Sequence, residues 1–88
     1  MTKKIVLTGV VQGVGMRFFV RSAARRTGVR GFVRNMPNGK VIAMCQGERE
    51  MIAQLINLIR SNSPGRLDDI VVLDVDTDIV YKHFSVKF

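Results

Sequence analysis

Val29-Arg30-Gly31-Phe32-Val33-Arg34-Asn35-Met36-Pro37-Asn38-Gly39-Lys40-Val41-Ile42-Ala43-Met44-Cys45-Gln46 reads as a β-hairpin. Residues 29–35 alternate as a half-buried strand does, and residues 40–46 return as its partner. Between them Met36-Pro37-Asn38-Gly39 supplies turn chemistry, because Asn-Gly tolerates positive φ. The segments on either side of the hairpin have a different period. Met16 to Thr27 carries Met16, Val20, Ala23, Ala24 and Thr27 along one helical face and Arg17, Arg21 and Arg25 along another. Gly28 suits the left-handed position after the last turn. On the far side, Glu48 to Ser61 has a wide apolar stripe of Met51, Ile52, Leu55, Ile56, Leu58 and Ile59, with acids in its first turn and Arg60 in its last.

Further out, Ile5 to Val11 is β-branched and mostly apolar, as expected of a central strand buried on both faces. Asn62-Ser63-Pro64-Gly65 breaks the second helix, a strand runs through Ile70-Val71-Val72-Leu73, and Phe84 to Phe88 alternates as a short final strand. The order is β-α-β-β-α-β with an extra terminal strand. That pattern predicts an α+β, ferredoxin-like sandwich over residues 1–88 as one domain, an antiparallel sheet with both helices on one face. Such a topology hosts many functions, so the chemistry has to come from a site.

Composition limits the choices. A single domain of 88 residues hides roughly 60–65% of its unfolded surface, enough to fold unaided. A hydrophobic fraction of 47% and a charged fraction of 24% exclude a disordered chain. The basic N-terminus leads into an apolar run too short for a signal peptide, and no stretch approaches the roughly 18 apolar residues of a membrane span. Cys45 is the single cysteine, which excludes an internal disulfide and fits a reducing compartment. The expectation is a soluble cytoplasmic monomer with no membrane partner. The net charge of +7 is unevenly spread: residues 1–49 hold ten Lys/Arg against Glu48 alone, so the N-terminal half is where an anion would be drawn.

The chemistry concentrates between the first strand and the first helix. Gln12-Gly13-Val14-Gly15-Met16 offers backbone N–H groups aimed by a helix N-terminus, and Arg17 adds a planar fork that matches phosphate oxygens two at a time. Larger phosphate motifs fail on spacing. Counting a Walker A loop from Gly9 puts Val14 and Gly15 where its second glycine and lysine belong, and a dinucleotide fingerprint from Gly13 meets Phe18 in place of its third glycine. A covalent phosphatase would need a cysteine six residues before the loop arginine, where Val11 stands. Cys45 lies in a core strand and His83 near the far end, so neither is expected to take part.

Two stretches carry a resemblance. Gly9-Val10-Val11-Gln12-Gly13-Val14-Gly15-Met16-Arg17 resembles the first acylphosphatase signature, and Gly31-Phe32-Val33-Arg34-Asn35-Met36-Pro37-Asn38-Gly39-Lys40-Val41 resembles the second, at matching separation and within a likeness that spans nearly the whole chain. The resemblance implies an enzyme that hydrolyses acyl phosphates without metal or other cofactor. It further implies that Arg17 and the loop amides of Gln12, Gly13, Val14, Gly15 and Met16 hold the phosphate, and that Asn35 positions the attacking water. Inorganic phosphate or sulfate would bind as product or mimic. Met16 stands where a phenylalanine is usual, Asn38 where an aspartate often sits, and Ile42 where a glutamate often follows Val41. Two other readings share the fold: an accessory domain of this type with incidental activity, and a basic RNA-binding domain. The second is disfavoured because strands one and three carry no aromatic on which a base could stack, so no nucleic-acid partner is expected.

Overall fold

The hairpin forms as its alternation requires. In the computed structural model, which describes residues 1–88, β2 (Arg30–Asn35) and β3 (Val41–Gln46) pair antiparallel, with Val33 opposite Ala43 and Asn35 opposite Val41. β1 (Thr2–Val10) lies on the other side of β3, and β4 (Arg66–Asp74) pairs with β1 at the sheet edge. Helices α1 (Met16–Thr27) and α2 (Arg49–Asn62) fill the two crossovers. Gly28 ends α1 in the left-handed conformation, its N–H donating to the Ala24 carbonyl.

One face of the sheet is the core face. Ile5 and Leu7 of β1, Val33 of β2, and Val41, Ala43 and Cys45 of β3 point into it, and Val20, Ala23 and Ala24 of α1 meet them together with Ile52, Leu55 and Ile59 of α2. No polar or charged residue is buried there, so burial of apolar surface is what holds the layers together, each full-sized side chain contributing about 1.5–3 kcal/mol. The expectation that β1 is buried on both faces does not hold. With both helices on the same side, Lys4, Val6 and Thr8 face outward and are only half-buried.

The terminal strand also departs from an all-antiparallel sheet. β5 (Phe84–Lys87) runs parallel to β2, with Gly31 opposite Phe84 and Val33 opposite Val86, and the strand order is β4-β1-β3-β2-β5. The connection dictates this direction. β4 ends where β1 and β2 begin, and residues 75–83 cross that end of the sheet: Val75 donates to the Thr2 carbonyl, the Gln46 amide donates to the Ile79 carbonyl and accepts from Tyr81 N–H, and Arg30 donates to the Tyr81 carbonyl. A strand arriving beside β2 from that end must run the way β2 runs. No helix is long and apolar enough to cross a membrane.

Candidate active site

Val11 and Met16 are each 1% exposed, so both ends of the loop between β1 and α1 are pinned to the core. Between them Gly13 and Gly15 stand exposed, with φ of +72° and +83°. A Cβ at either would meet no atom within 4 Å, so backbone conformation, not space, calls for glycine there. An L-residue in that region costs about 1–2 kcal/mol. The result is a loop whose amides from Gly13 to Phe18 donate no backbone hydrogen bond, Phe19 being the first whose N–H finds a carbonyl, that of Gly15. The first turn of α1 holds no acid. Free N–H groups and the positive end of the helix dipole thus meet at one spot, an arrangement that favours an anion.

Arg17 and Asn35 come to that spot from different elements. Val11, Gly13, Gly15, Met16, Arg17, Phe18 and Asn35 line a common pocket of about 70 Å³. Asn35 ends β2, and its Oδ1 is buried without a hydrogen-bond partner, the only side-chain oxygen or nitrogen in the chain so placed. Buried polar groups are otherwise almost always satisfied, so an acceptor without a partner on a residue that lines this pocket stands out from the rest of the chain. Its own turn does not use it. That turn is closed by Met36 N–H to the Lys40 carbonyl at 2.8 Å, Gly39 N–H to the Met36 carbonyl at 3.1 Å, and Lys40 N–H to Asn38 Oδ1 at 3.1 Å. The Arg17 guanidinium lies 4.7 Å from the centroid of the Phe88 ring, with Nη1 3.5 Å from the Lys87 carbonyl.

Gln12 acts through its side chain. Its Nε2 donates to the Met36 carbonyl at 2.7 Å and to the Lys40 carbonyl at 2.9 Å, tying the glycine loop to the turn that follows Asn35. These partners lie 24 and 28 residues away, so no local pattern reveals them. Gln12→Ala is expected to cost about 1–2 kcal/mol, since both carbonyls keep a backbone donor and only the two added bonds are lost. Thermal melting should show a fall in Tm of about 4–15 °C. An unchanged Tm would mean that the two bonds do not hold the loop.

The remaining reactive groups stand apart. Cys45 is buried in the core, and desolvation pushes its thiol up to about 12, which removes it as a nucleophile. His83 is exposed beside Phe32 in a recess that shares no residue with the pocket of Arg17 and Asn35. No three His, Cys, Asp or Glu side chains converge as a metal centre would need. Arg21 sits 5.2 Å from the Phe18 ring centroid, and Arg25 donates to the Phe84 carbonyl at 3.2 Å.

Known proteins with this pattern agree in sequence and in fold. The acylphosphatase family model matches residues 3–86. An acylphosphatase of Thermotoga petrophila is 33% identical over 85 residues, covering 97% of this chain and 94% of its own. The crystal structure of acylphosphatase from Bacillus subtilis superposes with a TM-score of 0.91 at 26% identity, over 99% of this chain and 98% of that one. The HypF protein of T. kodakarensis superposes with a TM-score of 0.90 at 27% identity, over 100% of this chain and 12% of the much longer HypF. Similarity of this extent, from one end of the domain to the other, establishes that the chain belongs to the acylphosphatase family.

Proposed function

We propose that this chain hydrolyses acyl phosphates to carboxylate and inorganic phosphate, with no metal or organic cofactor. The observation that carries the reading is that Asn35, whose Oδ1 is unsatisfied, lines the same small pocket as Arg17 and the glycine loop. The free amides and Arg17 hold the phosphoryl oxygens. Asn35 Oδ1 accepts a hydrogen bond from a water, aiming it at phosphorus opposite the acyl oxygen. Water oxygen bonds to phosphorus, the bond from phosphorus to the acyl oxygen breaks, and the carboxylate leaves with the bonding pair. The water's proton passes to a phosphoryl oxygen, since Asn35 is no base.

Magnitudes support so spare a site. The leaving carboxylate is a good one, and phosphoryl transfer needs mainly positioning and charge stabilisation. Each preorganised donor in such a site is worth about 3–4 kcal/mol, so two or three suffice for a large acceleration. The pocket lining contains no hydroxyl, thiol, imidazole or carboxylate, which leaves water as the nucleophile. We read the protein as a cytoplasmic monomer acting on a small diffusible substrate, with no nucleic-acid partner: Val6, Ile42 and Met44 occupy the outward positions of β1 and β3 where a base-stacking sheet would need aromatics.

The test is hydrolysis of benzoyl phosphate by purified protein in the presence of a chelator. Turnover insensitive to the chelator is expected. Folded protein without turnover would favour the second reading, an accessory domain of the kind suggested by the match to a small part of HypF.

The other arginines of α1 act at longer range. Arg21→Gln and Arg25→Gln should each lower kcat/KM for acetyl phosphate by about two- to threefold at low ionic strength, a difference that disappears near 0.5 M salt, where the screening length is only about 4 Å. A large loss that persists at high salt would put either residue in contact with substrate.

A further inference from the structure

We propose that Phe18 and Phe88 form an aromatic rim that contacts the acyl group, so that this enzyme prefers acyl phosphates with a flat, apolar acyl part over acetyl-sized ones. The inference rests on reading the pocket of Arg17 and Asn35 as the phosphoryl site.

At about 70 Å³ the pocket is the smallest recess on the surface, well below the roughly 300–1,000 Å³ of sites that enclose a whole small-molecule ligand. The acyl group has to lie at the mouth. Phe18 is the large side chain that lines the pocket and yet remains 47% exposed, whereas Met16 and Val20 on the same helix turn into the core. Phe88, 94% exposed, stands beside it with ring centroids 6.4 Å apart and planes tilted by 53°. Neither ring belongs to the core cluster, so folding does not account for two aromatics at this spot.

Two guanidinium groups lie over these rings. Arg21 covers one ring at 5.2 Å and Arg17 the other at 4.7 Å, and cation–π contacts of this kind hold orientation at exposed sites. Because Arg17 also lines the phosphoryl pocket, the rim and the anion site share a residue and keep a fixed relation. An acyl group leaving the pocket beside Phe18 meets an aromatic face whose orientation the two guanidinium contacts favour. A phenyl ring can pack on it edge-to-face, while a methyl group offers almost nothing to pack. The other exposed apolar side chains do not compete for this role: Val80, for example, lines the separate recess over Phe32.

The experiment compares kcat/KM for benzoyl phosphate and for acetyl phosphate in the parent protein, Phe18→Ala, Phe18→Tyr and Phe88→Ala. The parent should prefer the benzoyl substrate. Phe18→Ala should reduce the benzoyl-to-acetyl ratio about three- to tenfold, as expected for loss of one aromatic contact. Phe88→Ala should shift the ratio in the same direction, and Phe18→Tyr, which keeps the ring, should retain it. A purely structural role would lower both substrates together and leave the ratio unmoved, which would overturn the rim. A parent that turns over both substrates equally well would overturn it too. A folded parent that hydrolyses neither would instead remove the phosphoryl site on which the rim depends.

Discussion

Arg17→Ala is expected to lower kcat/KM for benzoyl phosphate by about a thousandfold or more and to weaken inhibition by inorganic phosphate about ten- to a hundredfold. The two effects differ in size for a reason. A charge-assisted hydrogen bond to bound phosphate contributes about 1.5–3 kcal/mol in the ground state. As the phosphoryl group comes loose in the transition state, its equatorial oxygens call on the same fork more strongly, and arginines so placed are worth about 10³–10⁵ in rate. Arg17→Lys should recover little. A lysine supplies one point charge instead of a planar pair of donors, and it cannot reproduce the stacking of the guanidinium on the Phe88 ring. Steady-state kinetics with phosphate as competing ligand measure both quantities, and near-normal turnover by Arg17→Ala would remove Arg17 from the site.

Asn35→Ala separates binding from chemistry. In the proposed reaction its Oδ1 contacts the attacking water and not the phosphate, so kcat should fall about a hundredfold or more, in the range found when one well-placed donor or acceptor is removed, while phosphate inhibition stays within about twofold. Stability should hold as well. The orphan Oδ1 has no bond to lose, and the turn after Asn35 is closed by Met36, Asn38, Gly39 and Lys40 without it. Asparagines at strand ends commonly bond their own turns, and a residue doing so would show the opposite pattern, a lowered Tm with kcat near normal. Melting, phosphate titration and kinetics on this one variant tell the two apart.

What could be read from the sequence was what depends on local chemistry. The helix from Met16 to Thr27 is legible because its apolar face repeats at helical spacing and Gly28 stops it, and the hairpin because Asn38-Gly39 sits between two strand-like runs. Asn35 was legible as the residue at the end of a strand, and Arg17 as the arginine after a glycine loop. Their meeting in one pocket depends on β1 and β2 lying on either side of β3; the order of elements points to that sheet, but not to which side chains touch across it. Long-range partners were invisible for the same reason. Nothing near Gln12 announces the carbonyls of Met36 and Lys40, and nothing near Phe18 announces Phe88. The outward face of β1 misled because Val6 and Val10 look like core residues, although a sheet covered on one face needs only alternate positions buried.

In the proposed reaction a water attacks phosphorus within a cradle of loop amides, Arg17 and Asn35. Hydrolysis of benzoyl phosphate in water enriched in ¹⁸O, with both products analysed by mass spectrometry, tests it most directly. Attack at phosphorus places one labelled oxygen in inorganic phosphate and none in benzoate, and that is the predicted result. Label in benzoate would mean that water attacks the acyl carbon, outside the pocket, and would contradict the roles assigned to Asn35 and Arg17 together.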